Sequence, residues 1–483
     1  MDVITPSQNL VKVTMIAPTL PKYAVHSKQH EDGDWRSAFR HDLHEILYRH
    51  AFRKLAQKTQ VIVRPSDDSF RTRLTHTLEV ANIADNFGVM LKLNTEAIAA
   101  IAYAHDLGHP PFAHVGEKTL NRLFKSFVER TLIGYHADKG ERSKLLEYFG
   151  FKHSHNSRRI LQRKMKGISD VTLKSVIGHS WSPWKDSSAL HSLAEVKAYI
   201  SKELSVQTSQ FLPCYEAQVV ALSDQLAGLN SDIEDLVAVL HTTDVLRAEA
   251  VKHLERTDFS AEEKKKVRDI IEKFIQSGAE VDSRKRGWGR KRRIGSTVES
   301  IVKQSKSRIQ RCESWEKSPL KPLAPAPEIA VALDVVEGVV RQQVCTHHEI
   351  RLRDSFAETA TSILFNRILS LTIKSDGVER LRSKEGPWGD RTPTLYDNYM
   401  NWVEEYNKEA VNETILEGAF SFPCMKQHAQ NFKGGGLWDT LCNVVQVIDY
   451  ISELTDRFVI YDLFRGDPLQ PVLIHYFDRA LEA

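Results

Sequence analysis

An all-α fold is predicted by three features of the sequence. Apolar residues recur at three- and four-residue steps over long stretches, helix-start and helix-stop residues bracket those stretches, and strand patterns are few. The periodicity begins at Asp34, where Phe39, Leu43, Ile46, Leu47, Ala51 and Leu55 define the first helical stripe. Gln60-Val61-Ile62-Val63 is the one β-prone piece here, and Pro65-Ser66-Asp67-Asp68 reads as a turn. Arg73 to Leu91 is amphipathic, with Leu74, Leu78, Ala81, Ala84, Phe87 and Leu91 on one stripe. Asn94 or Thr95 can cap the next helix, which runs through AIAAIAYAHDL and is stopped by Gly108, Pro110 and Pro111. A further helix is expected from near Val115 to about Arg130, followed by a loop-like stretch until a helix near Ser157. Residues 168–212 read as short pieces. After Pro213 one helix is expected over Tyr215 to Leu229 and another from near Ser231. Helical periodicity resumes at Ile329, and residues 375–395 read as a polar insertion. No internal repeat is present.

These patterns divide the 483 residues into an irregular arm (1–33), a helical core (34–245), a basic and Pro-rich linking region (246–328) and a helical C-terminal region (329–483). Apolar residues make up 41% and charged residues 27%, which excludes a chain disordered throughout. No apolar run approaches the roughly 18 residues of a membrane span, and the first residues lack the basic and apolar regions of a secretory signal. The five cysteines, Cys214, Cys312, Cys345, Cys424 and Cys442, fall at no metal-ribbon spacing and suit a reducing cytoplasm. A net charge of +3 leaves any anion site to local clustering. The 20 histidines are about twice the ordinary complement, which directs attention to metal or acid–base chemistry.

Three segments concentrate that chemistry. RTRLTHTLEV places His76 in a helix near Arg71 and Arg73, AHDLGH places His105 and Asp106 at a helix end, and YEAQVVALSDQL places Asp224 in a third helix. Taken singly, a helical His or Asp is more often structural; it is the combination that points to a site. Histidine with carboxylate suits a divalent transition metal or Mg²⁺. Such an ion with open positions polarises a phosphoryl oxygen and activates water. His114 and Glu117, at i and i+3, can face one another and move protons, and arginines can bind phosphate oxygens. Metal-assisted phosphoester hydrolysis is the reaction class these residues favour.

The stretch FRKLAQKTQV…RTRLTHTLEVANIA…EAIAAIAYAHDLGHPPFAHVGEKTL closely resembles the HD-domain deoxynucleoside triphosphate triphosphohydrolases, the dGTPase family. The resemblance is clear over about residues 36–130. It continues more weakly through FKHSHNSRRI and EAQVVALSDQLAGLNSDIED to about 240, and VIDYISELTDRFVIYDLF resembles the family's last helix. It implies that His76, His105, Asp106 and Asp224 hold a divalent metal, Mg²⁺ or Mn²⁺ before other transition metals. It makes His109, His114, Glu117 and His153 active-site residues, with Arg73 toward the α-phosphate, Gln60 at the sugar and Asp232 at the 3′-hydroxyl. The implied reaction is water attack at the α-phosphorus of a deoxynucleoside triphosphate, giving deoxynucleoside and inorganic tripolyphosphate.

The sequence departs from the family pattern at Gly228, where a sugar-pocket Tyr is usual, at Ser231, where a His is usual, and at Gln225, where a polar or basic residue is frequent and this one cannot supply charge to phosphate. SRKRGWGRKRR, ending at Arg293, carries seven Lys or Arg and Trp288. It reads either as a solvated loop or as a site, over 284–293, for a regulatory nucleotide or single-stranded nucleic acid. The resemblance also implies a homo-oligomer, with a hexamer as one candidate. Two alternatives stand beside this reading: another HD phosphohydrolase acting on nucleoside monophosphates, and a nucleic-acid-binding regulator with a vestigial HD site.

Overall fold

The computed structural model describes residues 36–60, 71–134, 139–148, 150–179, 182, 184–205, 214–240, 244–276, 294–305, 323–373, 399, 401–403 and 436–463. The arm 1–33, the basic run 284–293 and the insertion 375–395 lie outside them. Within them the fold is α-helical, and the only β feature is an isolated bridge between Thr59 and Thr72.

The helices in chain order are α1 (Ala38–Tyr48), α2 (His50–Lys54), α3 (Arg73–Leu91), α4 (Thr95–Ala104), α5 (Ala113–Gly134), α6 (Lys139–Tyr148), α7 (His153–Lys164), α8 (Asp170–Ser175), α9 (Leu193–Ser205), α10 (Tyr215–Leu240), α11 (Asp244–Glu255), α12 (Ala261–Gln276), α13 (294–305), α14 (Pro327–Thr346), α15 (His348–Ile373) and α16 (Gly436–Glu453). A π-helical turn, Phe458–Leu463, follows α16. Local chemistry fixes several starts. The Asn94 side-chain oxygen accepts the backbone N–H groups of Glu96 and Ala97 (both 3.1 Å) and so caps α4. Ser169 caps α8 through Thr172 N–H, and Pro327 opens α14, where a missing N–H is harmless.

Three boundaries differ from the sequence expectation. The helix carrying AIAAIAYA ends at Ala104, so His105 and Asp106 stand in the turn beyond it. Side chains of α7 take that turn's carbonyl groups: Ser157 Oγ donates to His105 O (2.7 Å) and Asn156 Nδ2 to Gly108 O (2.8 Å). The stretch expected to be a loop between α5 and Ser157 contains α6, and α7 begins at His153. The two helices expected on either side of Asn230 are one, α10. Its buried stripe runs on through Leu226, Leu229, Ile233 and Leu236, so core packing overrides the local breakers Gly228 and Asn230.

The chain forms two compact units and passes between them more than once. One comprises residues 1–44, 76–103 and 167–347. Its core joins Phe87 of α3, Ile98 of α4, Tyr215 and Leu222 of α10, Ile271 of α12 and Val335 of α14. The other comprises 45–75, 104–166 and 348–483. Its core packs Leu120 and Phe124 of α5 with Leu364 and Phe365 of α15 and Val447 and Ile451 of α16. Among the described residues no helix is long and apolar enough to cross a membrane.

Candidate active site

In the first unit, His76 lies on α3 and Asp224 on α10, with His76 Nε2 2.9 Å from Asp224 Oδ1. His76 is buried, and the Asp224 side chain is 22% exposed. Asp232 shares α10 with Asp224, two turns further on, and is half-buried.

In the second unit, the turn after α4 gathers the remaining residues. Gly108 is required there, because a Cβ at this position would stand 2.2 Å from both His153 O and Ser157 N. The turn therefore lies directly against the start of α7. Asp106 is buried, and each of its oxygens is engaged. Oδ2 accepts from Arg73 Nη1 (2.7 Å), while Oδ1 lies 3.4 Å from His105 Nε2 and 3.3 Å from His109 Nε2. Burial opposes the Asp106 anion, but His105, His109 and Arg73 outweigh it and hold the carboxyl well below the usual carboxylate range. Burial, with the charges of Arg73 and His153, keeps His109 far below the usual imidazole range, so its ring is neutral near pH 7.

Beside this pair stands a row of imidazoles. The His109 ring stacks on that of His153, with centroids 3.7 Å apart and planes 17° from parallel. His153 Nδ1 is 2.9 Å from Glu117 Oε1, which also accepts the His153 backbone N–H (3.0 Å). Glu117 Oε2 is 3.3 Å from Nδ1 of His114, whose side chain is 60% exposed. Burial would raise the Glu117 carboxyl, yet the His153 charge and the bonds from His114 and His153 hold it below the carboxylate range. His155 points to a different fate for an imidazole: burial and the nearby Lys152 and Arg158 push it down to about 4.

Asp106, His109 and His153 each offer one ligand atom, all within 4.8 Å of one another. Nδ1 of His109 is buried and meets no partner among the described residues. A carboxylate ringed by imidazoles, with a buried ring nitrogen left over, is a donor set that suits a divalent cation.

The second unit thus brings together Arg73, His105, Asp106 and His109, and next to them His114, Glu117 and His153. Gln60 joins through its backbone, which accepts from Arg73 Nη2 (3.3 Å). Both of these Arg73 bonds go to protein groups, which places Arg73 as the partner of Asp106. Asn156 and Ser157, which fix the turn, are not among the predicted site residues. Their place one helical turn after His153, in FKHSHNS, is the available signal.

Residues 73–180 match the HD domain family. The chain thus carries a match to this domain over that segment. It is similar to proteins named deoxyguanosinetriphosphate triphosphohydrolase-like. It is 36% identical to one from Caldanaerobacter subterraneus over 211 residues, 44% of this chain and 49% of the relative. It is 34% identical to one from Clostridium tetani over 226 residues (45% and 52%), and 36% identical to one from Azorhizobium caulinodans over 237 residues (45% and 53%). The chain spans about half the length of these curated relatives.

Proposed function

We propose that the protein hydrolyses deoxynucleoside triphosphates, dGTP among them, to deoxynucleoside and inorganic tripolyphosphate. The observation that carries this reading is the row His109–His153–Glu117–His114 standing beside the buried Asp106–Arg73 pair. His76, His105, Asp106 and Asp224 would hold one divalent ion, Mg²⁺ or Mn²⁺. That ion supplies charge stabilisation at phosphoryl oxygen and a lowered pKa for water.

The chain's own groups account for the rest. Arg73 keeps Asp106 anionic. Glu117, held as a carboxylate, fixes the ring orientation of His153 and His114 through their Nδ1 atoms, and exposed His114 turns its Nε2 to the substrate. Exposed His114 is placed to pass a proton to the leaving 5′-oxygen as the Pα–O5′ bond breaks. Gln60, Arg73 and Asp232 contribute substrate contacts in this scheme. A homo-oligomer and a regulatory nucleotide or single-stranded nucleic acid at 284–293 complete the proposal.

The test is incubation of the Mg²⁺- or Mn²⁺-loaded protein with each deoxynucleoside triphosphate, followed by chromatographic separation of products. Deoxynucleoside and tripolyphosphate support the reading. Monophosphate with pyrophosphate, or no turnover on any of the four, contradicts it.

A further inference from the structure

The turn joining His109 to His114 is held in an unfavourable backbone shape. Phe112 (φ 64°) and Ala113 (φ 52°) are consecutive non-glycine residues in the left-handed region. The turn also folds tightly over the start of α5, where a Cβ on Gly116 would stand 1.9 Å from Pro111 O. Such a shape persists only when surrounding groups impose it.

Those groups come from opposite ends of the chain. Asp456, just beyond α16, accepts the Phe112 N–H at Oδ1 (3.0 Å) and the Thr59 N–H at Oδ2 (3.0 Å). Lys58 Nζ donates to the His109 carbonyl and to the Ser452 carbonyl, the latter at 2.8 Å. One group thus grips the turn at His109 and the other at Phe112. Burial lowers the Lys58 ammonium and raises the Asp456 carboxyl.

Resting on the phosphohydrolase reading above, we propose that Asp456, with Lys58, is a positioning residue. It fixes the 109–113 turn, and through it sets His109 against His153 and His114 against Glu117. Asp456 touches neither substrate nor metal in this scheme; it acts through the two backbone bonds it accepts.

The experiment compares full-length wild type with Asp456→Asn, whose amide offers one acceptor oxygen to two N–H groups. Amide hydrogen exchange over 109–113 is expected to quicken about tenfold or more, with α15 unchanged. kcat on the preferred deoxynucleoside triphosphate should fall about 10- to 100-fold, the scale of a misplaced catalytic group, with KM within about threefold and bound Mn²⁺ unchanged. Unchanged exchange in 109–113, faster exchange with wild-type kcat, or loss of metal together with kcat would each overturn the proposal. A second measurement needs no variant. In the wild type, the Phe112 amide should be as protected as the interior of α5, and exchange at open-loop rates sinks the idea. A wild type inactive on every deoxynucleoside triphosphate defeats only the phosphohydrolase reading; the exchange measurements then decide the clamp.

Discussion

Helix α7 carries a buried ionic cluster near each end, and the two are built from different cations. Toward its C-terminus, Arg159 and Arg163 meet Asp449, while Arg163 and Lys164 meet Glu453. Trp402 donates Nε1–H to Glu453 (3.3 Å) and lies 5.5 Å beneath the Arg163 guanidinium. At its N-terminus, His153 meets Glu117 and stacks on His109. The first cluster uses guanidinium groups, which keep their charge at every working pH and match carboxylates geometrically. The second uses imidazoles, each of which has a second ring nitrogen to present to a ligand. Burial and ion pairing are common to both, so neither property marks a site. What separates them is whether the basic group has a nitrogen to offer as an acceptor or ligand.

The largest effects are expected at the turn after α4. His105→Ala with Asp106→Ala should remove bound metal and hydrolysis together, read by elemental analysis and product release. It should also lower stability by about 3–5 kcal/mol, because buried Arg73 loses its counter-charge. Unchanged metal content in that variant would defeat the ligand assignment. Arg163→Met attacks the other cluster. Denaturant unfolding should show a similar loss, about 3–5 kcal/mol, with kcat and metal content of the folded protein unaltered. His114→Ala should do the reverse, losing about 10²–10⁴-fold in rate with metal retained. Its exposed side chain limits any change in stability to about 0.5 kcal/mol.

Two smaller effects sharpen the contrast away from the clusters. A Cβ on Gly228 would meet nothing within 4 Å, so Gly228→Ala should stabilise α10 by about 0.5–1 kcal/mol in a thermal melt. His191 is an exposed imidazole raised above 6.5 by its bond to Asp258, then by the charges of Glu195 and Asp258. Its contribution is present below pH 6.5 and fades as pH rises through the higher folded value. An NMR titration should find that raised value in the wild type and a return toward 6.5 in Asp258→Asn.

The sequence made the helical class legible because the apolar stripes of α3, α4 and α10 are long and regular. Asp106 and His114 stand out as residue types because HDLGHPPFAH is compact and unusual, His76 through RTRLTHTLEV, and Glu117 through its i, i+3 spacing from His114. The joins were less legible. Packing carries α10 through Gly228 and Asn230, and the end of α4 is decided by Ser157 and Asn156, some fifty residues later. Asp456 meets Phe112 across 344 residues by accepting a backbone N–H, a contact that leaves no periodicity or spacing to read.

In the proposed reaction water attacks the α-phosphorus, and oxygen-18 water reports where it attacks. Hydrolysis of a deoxynucleoside triphosphate in labelled water, followed by mass spectrometry of both products, should place one label in tripolyphosphate and none in the deoxynucleoside. Label in the 5′-hydroxyl of the deoxynucleoside, or release of labelled orthophosphate with a diphosphate, would contradict the account.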